Sequence, residues 1–398
     1  MKHYYTYRNS FKHKSKITNT ERYLLTGGDK GQAENHLTEN SDRITRLIEY
    51  SPWSSEKKIN IEAIKTLTKW CKEHLEKIGF YDKGANHFYT RFEIPKATGG
   101  KRVIEAPEEF LKGVQRTLVN TLKEHLHLLE HNNAHAYVEG KGTQTNAEYH
   151  RKSNHFAKVD FSNFFPGITS LYLKEILPKI GFFSNIFIPA HRDALQNLLD
   201  LIIDASTLRD GLPQGAVTSP FLSNLVMIPF DYHMIKYLRK NHPNIIYTRY
   251  ADDMQFSSYY AFADRKEDAK ILIESIIQKI IDEHYNIDNK PMLKINPKKT
   301  LITTKYGKNR VTGIKINKDN KLSIGYKEKR EIKQNLANLI IKEKSGEPID
   351  EDVKNETLGM FSYLHSIEPD YAKYIESRLL QKFNIPHKTI RAFLGKKH

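Results

Sequence analysis

Cysteine is almost missing: Cys71 stands alone among 398 residues. A lone thiol forms no intramolecular disulfide and builds no cysteine zinc site. It fits a reducing compartment. Long apolar runs are missing too, and no stretch approaches the roughly 20 residues that a membrane-spanning helix needs. No membrane partner is expected. The opening stretch MKHYYTYRNSFKHKSK lacks an apolar centre, so it does not read as a secretory leader. Acidic charge is in deficit: 47 Asp and Glu face 63 Lys and Arg, a formal net charge of +16. That surplus points to a polyanion, nucleic acid first, although a basic surface also serves solubility. No internal repeat or low-complexity linker divides the chain.

What is present is a succession of clear patterns. Residues 1–55 are polar, basic and weakly periodic, and read as an N-terminal extension. Tyr4, Tyr5 and Tyr7 there suit an apolar anchor or stacking on single-stranded bases. Ile61, Ile64, Leu67, Cys71, Leu75 and Ile78 share one helical face, and Gly79 ends the run. HFYTRFEIPKATGGKRVIEAP predicts two strands joined by a Gly-Gly turn. Pro107 then opens a helix carrying Val114, Leu118 and Leu122. FAKVDFSNFF holds a strand ending near Asp160, and residues 170–205 are mostly helical. GLPQGAVTSPF is a loop leading into a helix with Ser219 as N-cap and Pro220 at its first position. NIIYTRY and MQFSS are strand-rich, a helix covers about 262–284, and two short strands precede residue 325. Beyond Tyr326 the chain is helical, with stripes at Ile332, Leu336, Ile340 and at Tyr371, Ile375, Leu379. The expectation is an α+β region over 56–325 and a helical region over 326–398.

RYADDMQFSS, residues 249–258, sets Asp252 and Asp253 side by side between two strand-forming runs. Like charges at a tight turn are costly unless a cation joins them. Asp160 ends another strand and supplies a third carboxylate. Three such groups can converge on two hard divalent ions, which prefer oxygen ligands. Two ions so held support in-line phosphoryl transfer. An isolated Asp-Asp pair is ordinarily a solvated turn, so its neighbours carry the weight. His125, His127, His131 and His135 lie close together, but no acid or cysteine stands at zinc-ligand spacing.

Those neighbours resemble the reverse transcriptase family. FEIPKATGGKRVIEAP (92–107) is similar to the first fingers motif of retron and group II intron enzymes. KVDFSNFFPGI (158–168) resembles the palm motif with the first metal aspartate. GLPQGAVTSPFLSNLVM (211–227) and YADD (250–253) follow in order, then NPKKT (296–300) and VTGIKIN (311–317). The resemblance implies an α+β right-hand polymerase: fingers, an antiparallel-sheet palm and a helical thumb over 326–398.

By resemblance, Asp160, Asp252 and Asp253 would bind two Mg2+ ions, or Mn2+, with the Phe161 carbonyl adding an oxygen. Phe165 would be the steric gate against a 2′-hydroxyl, or else a core aromatic like Phe164. Lys96 and Arg102 would meet the incoming triphosphate, with Lys101 as competitor. Gln214 and Gly215 would line the nucleotide pocket, and Lys298 or Lys299 would protonate the departing pyrophosphate. The thumb would track duplex phosphates.

TNAEYH (145–150) and VTG (311–313) resemble the retron branch. Asn146 and His150 would then contact RNA or brace the palm. The implied activity is RNA-directed DNA synthesis from a dedicated structured noncoding RNA, as template and in some cases primer, in bacterial antiphage defence. Deoxynucleoside triphosphates, the DNA product and an effector protein complete the implied partners, and the bacterial cytoplasm the setting. The long N-terminal region admits another class, defence-associated reverse transcriptases with their own noncoding RNA. The short stretch after Asn317 makes an intron maturase unexpected. A contrasting reading is a non-catalytic RNA-binding protein on a polymerase fold. Intact YADD, Asp160 and PQG speak against it.

Overall fold

The computed structural model describes residues 61–96, 99–126, 132–179, 192–287, 290–307 and 309–395. The extension over 1–55 with its tyrosines, together with His127, His131 and the side chain of His125, lies outside the described residues. The contacts gather into two compact units. One takes residues through Gly140, Asp160–Pro243 and Glu274–Asn296; the other takes Lys141–Val159, Asn244–Ile273 and Pro297–His398.

In the first unit, the Ile61–Lys77 helix buries Ile64, Leu67, Cys71 and Leu75, the face that its spacing defines. Burial pushes the Cys71 thiol up to about 12, so it packs as an inert group. Strand β1 (Tyr89–Pro95) pairs antiparallel with β2 (Lys101–Pro107). Gly99 and Gly100, at φ 87 and 82, turn the hairpin. Pro107 closes β2 opposite Tyr89, and the helix begins only at Glu109. Pro107 is therefore a strand terminus and not a helix opener; a strand end tolerates the missing N–H.

Gln115, wholly buried, ties this unit together. Its Nε2 donates to Tyr89 Oη at 2.9 Å and to the Ala205 carbonyl at 2.7 Å. Its Oε1 accepts from the Val217 N–H at 3.1 Å. Val217 is the N-cap residue of the Thr218–Asn241 helix, with no side-chain cap, and Ser219 is not the cap. The Ser219 hydroxyl instead donates to the Pro213 carbonyl at 2.7 Å. Farther along, Pro229 lies inside that helix. The Tyr285 hydroxyl enters the helix ladder beside it, accepting from Phe230 N–H at 2.9 Å and donating to the Val226 carbonyl at 2.8 Å. Such an insertion opens a helical turn without leaving its polar groups unpaired. A small hairpin of β6 (Asn286–Ile287) and β7 (Lys290–Pro291) follows.

The second unit is built on a four-stranded sheet. Its strands are β3 (His155–Asp160), β4 (Ile246–Tyr250), β5 (Asp253–Ser258) and β8 (Leu301–Thr304), in the order β4-β5-β3-β8. Both β4/β5 and β3/β8 are antiparallel. Asp160, the last residue of β3, is where the chain passes back into the first unit. A two-residue pairing joins β9 (Lys315–Ile316) to β10 (Leu322–Ser323). Five strands thus follow residue 284 where two were expected, because two-residue pairings leave no readable alternation. The helices Tyr326–Ser345, Glu351–Ile367, Pro369–Lys382 and Ile390–Leu394 close the chain. Leu336, Ile340, Ile375 and Leu379 from them share one apolar core with Phe156 of β3 and with Val311 and Ile314. No helix among the described residues is long and apolar enough to cross a membrane.

Candidate active site

The carboxylate pair sits on the β4–β5 hairpin. Tyr250 pairs with Asp253, so Ala251 and Asp252 form a two-residue turn. Ala251 adopts φ 56, a left-handed conformation that alanine reaches at a cost. The turn is secured from below. Arg249, fully buried, donates from Nη1 to the Ala251 carbonyl at 3.2 Å. Lys158 of β3 pairs with Asp253 at 2.7 Å. The strand lysine offsets part of the negative charge that the sequence packs into four residues, while the buried guanidinium braces the turn backbone. Asp160, two residues beyond Lys158, ends β3 and is buried. Among the described residues no three His, Cys, Asp or Glu side chains gather into a ready cation cluster. The donor chemistry still fits a hard divalent ion: carboxylate oxygens, one of them already engaged by a cation.

Behind the hairpin lies a buried polar chain. Ser153 Oγ is 2.8 Å from Ser257 Oγ, and Ser257 Oγ is 2.7 Å from His150 Nδ1. His150 Nε2 is 2.7 Å from Thr248 Oγ1, which donates to Asn146 Oδ1. Thr248 spends its one proton on Asn146, so it accepts from His150 Nε2–H, and Nδ1 accepts from Ser257. Burial depresses the His150 pKa to about 3, keeping the ring neutral as this pattern requires. Asn146 and His150, two candidate RNA contacts, are wholly buried and present no surface to a ligand. They fasten the Thr143–Tyr149 helix to Thr248 of β4 and Ser257 of β5. The same helix is held at its start by Thr312, whose Oγ1 donates to the Thr143 carbonyl at 3.1 Å. Thr312 has φ 47, rare for a β-branched residue, in the turn between the bridged Val311 and Ile314.

In the first unit, the Asp160 carbonyl accepts from Asn296 N–H at 2.9 Å, and Phe161 bridges to Ile295. Phe164 is buried and stacks on Phe161 with centroids 6.0 Å apart. Phe165 is half-buried beside it. The turn carrying these rings packs on the PQG loop. Leu212 N–H donates to the Ile168 carbonyl at 3.2 Å, and a Cβ at Gly211 would lie 2.5 Å from the Pro166 carbonyl oxygen. The loop packs in turn on β2. Glu105 N–H donates to the Gln214 carbonyl at 2.9 Å, and a Cβ at Gly215 would lie 2.8 Å from the Glu105 carbonyl oxygen. Gly215 has φ 135, so glycine is demanded there twice over.

Lys96 and Arg102 are exposed on the β1–β2 hairpin, while Lys101 pairs with Glu93 at 2.7 Å. Lys298 and Lys299 are both exposed in a turn, and neither is singled out. Arg209 and Asp210 escape sequence reasoning. Both are left-handed, at φ 50 and 62, between the bridged Leu208 and Gly211. Arg209 pairs with Glu105, and Asp210 accepts from Ser170. They hold the entry to the PQG loop against β2 and the Ser170–Ile176 helix.

The family model of the reverse transcriptase (RNA-dependent DNA polymerase) matches residues 94–333. The retron Ec83 reverse transcriptase of Escherichia coli is 31% identical over 295 residues, covering 73% of this chain and 86% of that protein. The retron Mx162 reverse transcriptase of Myxococcus xanthus is 30% identical over 289 residues, 71% of this chain and 58% of that protein. Among solved structures, a telomerase from Candida albicans with a fragment of telomeric RNA aligns over 82% of this chain and 70% of its own, at 10% identity and a TM-score of 0.43. That likeness is too distant to bear on residue roles. The chain belongs to the reverse transcriptase family, and is an RNA-directed DNA polymerase.

Proposed function

We propose that this polymerase copies a dedicated structured noncoding RNA into DNA in the manner of a retron, and that the product serves antiphage defence. The observation that carries the retron reading is the joining of its two short motifs. Thr312 of VTG holds the Thr143–Tyr149 helix, and Asn146 and His150 of that helix hold the YADD hairpin. Two retron enzymes also match about seven tenths of the chain. In this reading the β1–β2 hairpin would be part of the fingers, the four-stranded sheet the palm, and the helices after Tyr326 the thumb.

Asp160, Asp252 and Asp253 would hold two Mg2+ ions, with the Phe161 carbonyl as a further oxygen ligand. Bound there, the ions would lower the charge barrier to attack of a nucleic-acid hydroxyl on a deoxynucleoside triphosphate. The chain's own residues do the positioning. Lys96 and Arg102 meet the triphosphate as point charge and planar fork. Gln214 and Gly215 shape the pocket on the rigid support of β2. The half-buried Phe165 ring excludes a 2′-hydroxyl by bulk. Lys298 or Lys299 supplies the proton to pyrophosphate.

Purification of the protein from its native host, followed by sequencing of the nucleic acid that accompanies it, tests the proposal. One structured RNA joined to, or templating, one DNA species is the expected result. A heterogeneous mixture of cellular RNA would contradict the dedicated template. A single noncoding RNA with no DNA product of fixed sequence would favour the other defence-associated class.

A further inference from the structure

Strand β5 starts at Asp253 and finishes at Ser258, so the residues after Ser258 emerge about 17 Å from the carboxylate turn, at roughly 3.3 Å per residue. Asn154, just before β3, ties that far end of the sheet together. Its N–H donates to the Ser258 carbonyl at 3.0 Å, and its Nδ2 to the Tyr259 carbonyl at 3.2 Å. Its carbonyl accepts from Lys305 N–H at 2.7 Å, at the end of β8. Tyr259 and Tyr260 on one side and Tyr306 on the other are thus mounted on one hydrogen-bonded frame. Their exposures are 63%, 63% and 85%. Single exposed apolar residues are ordinary; three rings on one frame are not.

The setting indicates what the rings meet. Tyr259 and Tyr260 stand edge to face, with centroids 5.3 Å apart and planes at 80°. Lys152 is exposed two residues before Asn154. The Lys305 ammonium donates to Asn320, which ties the turn bearing exposed Lys318 and Lys321 to the residue just before Tyr306. Asp319 is the one acid in that turn. A protein-docking patch has an apolar, charge-poor centre. Here phenol rings with polar tips stand among lysines, the composition that stacks bases and neutralises phosphates.

We propose that Tyr259, Tyr260 and Tyr306 form a stacking surface for single-stranded nucleic acid, separate from the carboxylate end of the sheet. It engages an unpaired stretch of template or product while synthesis proceeds elsewhere.

The test uses the full chain in EDTA with the synthesis site saturated by an unlabelled primer–template hairpin. Fluorescence anisotropy then follows labelled uridine and thymidine oligomers of about 15 nucleotides. In the triple variant Tyr259→Ala, Tyr260→Ala, Tyr306→Ala, affinity for at least one oligomer falls about tenfold or more. The corresponding triple Phe variant keeps the rings and binds within about threefold of wild type. Which oligomer loses affinity identifies RNA or DNA as the occupant. Extension of the short hairpin itself is unchanged, which separates failure of this surface from failure of the polymerase reading. Should the triple Ala variant misfold, Tyr306→Ala alone, at the most exposed position, takes its place with a smaller expected loss. Folded Ala variants that bind both oligomers within about twofold of wild type would overturn the proposal. So would loss of a co-purifying protein with oligomer binding intact.

Discussion

Lys158 Nζ stands 2.7 Å from Asp253 Oδ2, joining β3 to the first residue of β5. The side chains are 38% and 28% exposed, so solvent screens the pair. Its contribution is about 1 kcal/mol at most. Lys158→Gln is expected to lower the melting temperature by about 2 °C in EDTA. Added Mg2+ should restore more stability in this variant than in wild type, since the ion supplies the charge that the lysine supplied. A melting temperature in EDTA equal to wild type would show that the pair is decorative.

Gly215→Ala combines an unfavourable φ with a Cβ 2.8 Å from the Glu105 carbonyl oxygen. The PQG loop would have to leave β2. Nucleotide addition is expected to fall at least about tenfold, mainly through a raised KM for the deoxynucleotide, with RNA binding retained. Steady-state kinetics decide it. An unchanged KM would mean that the loop does not shape the pocket.

Tyr285→Phe removes the hydroxyl that serves both Phe230 N–H and the Val226 carbonyl. Two buried backbone groups lose their partner, at a cost of about 2 kcal/mol unless the helix closes its own bond. Urea denaturation measures the loss. A cost near zero would mean that the turn at Pro229 re-forms without help.

Much of this was legible in the sequence because it depends on local rules. Apolar spacing marks the Ile61 helix, and alternation around a tight turn marks the YADD hairpin. Hidden features depend on partners far along the chain. Gln115 looks like surface polarity until Tyr89, Ala205 and Val217 close around it. Asn146 and His150 look like loop residues until Thr248 and Ser257 bury them. Ser219 carries the right residue type for a cap, but the helix begins one residue before it and its hydroxyl turns to the Pro213 carbonyl. Arg209 and Asp210 take left-handed conformations in a turn whose partners, Glu105 and Ser170, lie far along the chain.

His150 sets a pH dependence with a definite sign. Its folded pKa, about 3, lies below the ordinary value of 6.5 because of burial. Between those values the unfolded chain binds a proton that the folded chain refuses, so stability falls as pH falls through 6.5. From about pH 7.5 to 5.5 this one group removes about 1.4 kcal/mol. Burial also lowers the His233 pKa, to about 4, and acts in the same direction. His150→Gln is expected to reduce the acid loss of wild type by about 1 kcal/mol in urea melts at the two pH values. Parallel losses in the two proteins would place the proton elsewhere.

The central claim is the proposed role of the YADD turn's two acids, Asp252 and Asp253, in nucleotide addition. Its most direct measurement is single-turnover addition of a deoxynucleotide to a primed RNA template by the Asp252→Asn, Asp253→Asn double variant, with RNA affinity measured alongside. The account predicts a rate reduced by about a thousandfold or more, with RNA affinity within about threefold of wild type, as expected when charge stabilisation is lost and binding is kept. Addition at a rate near wild type by the folded variant would contradict it.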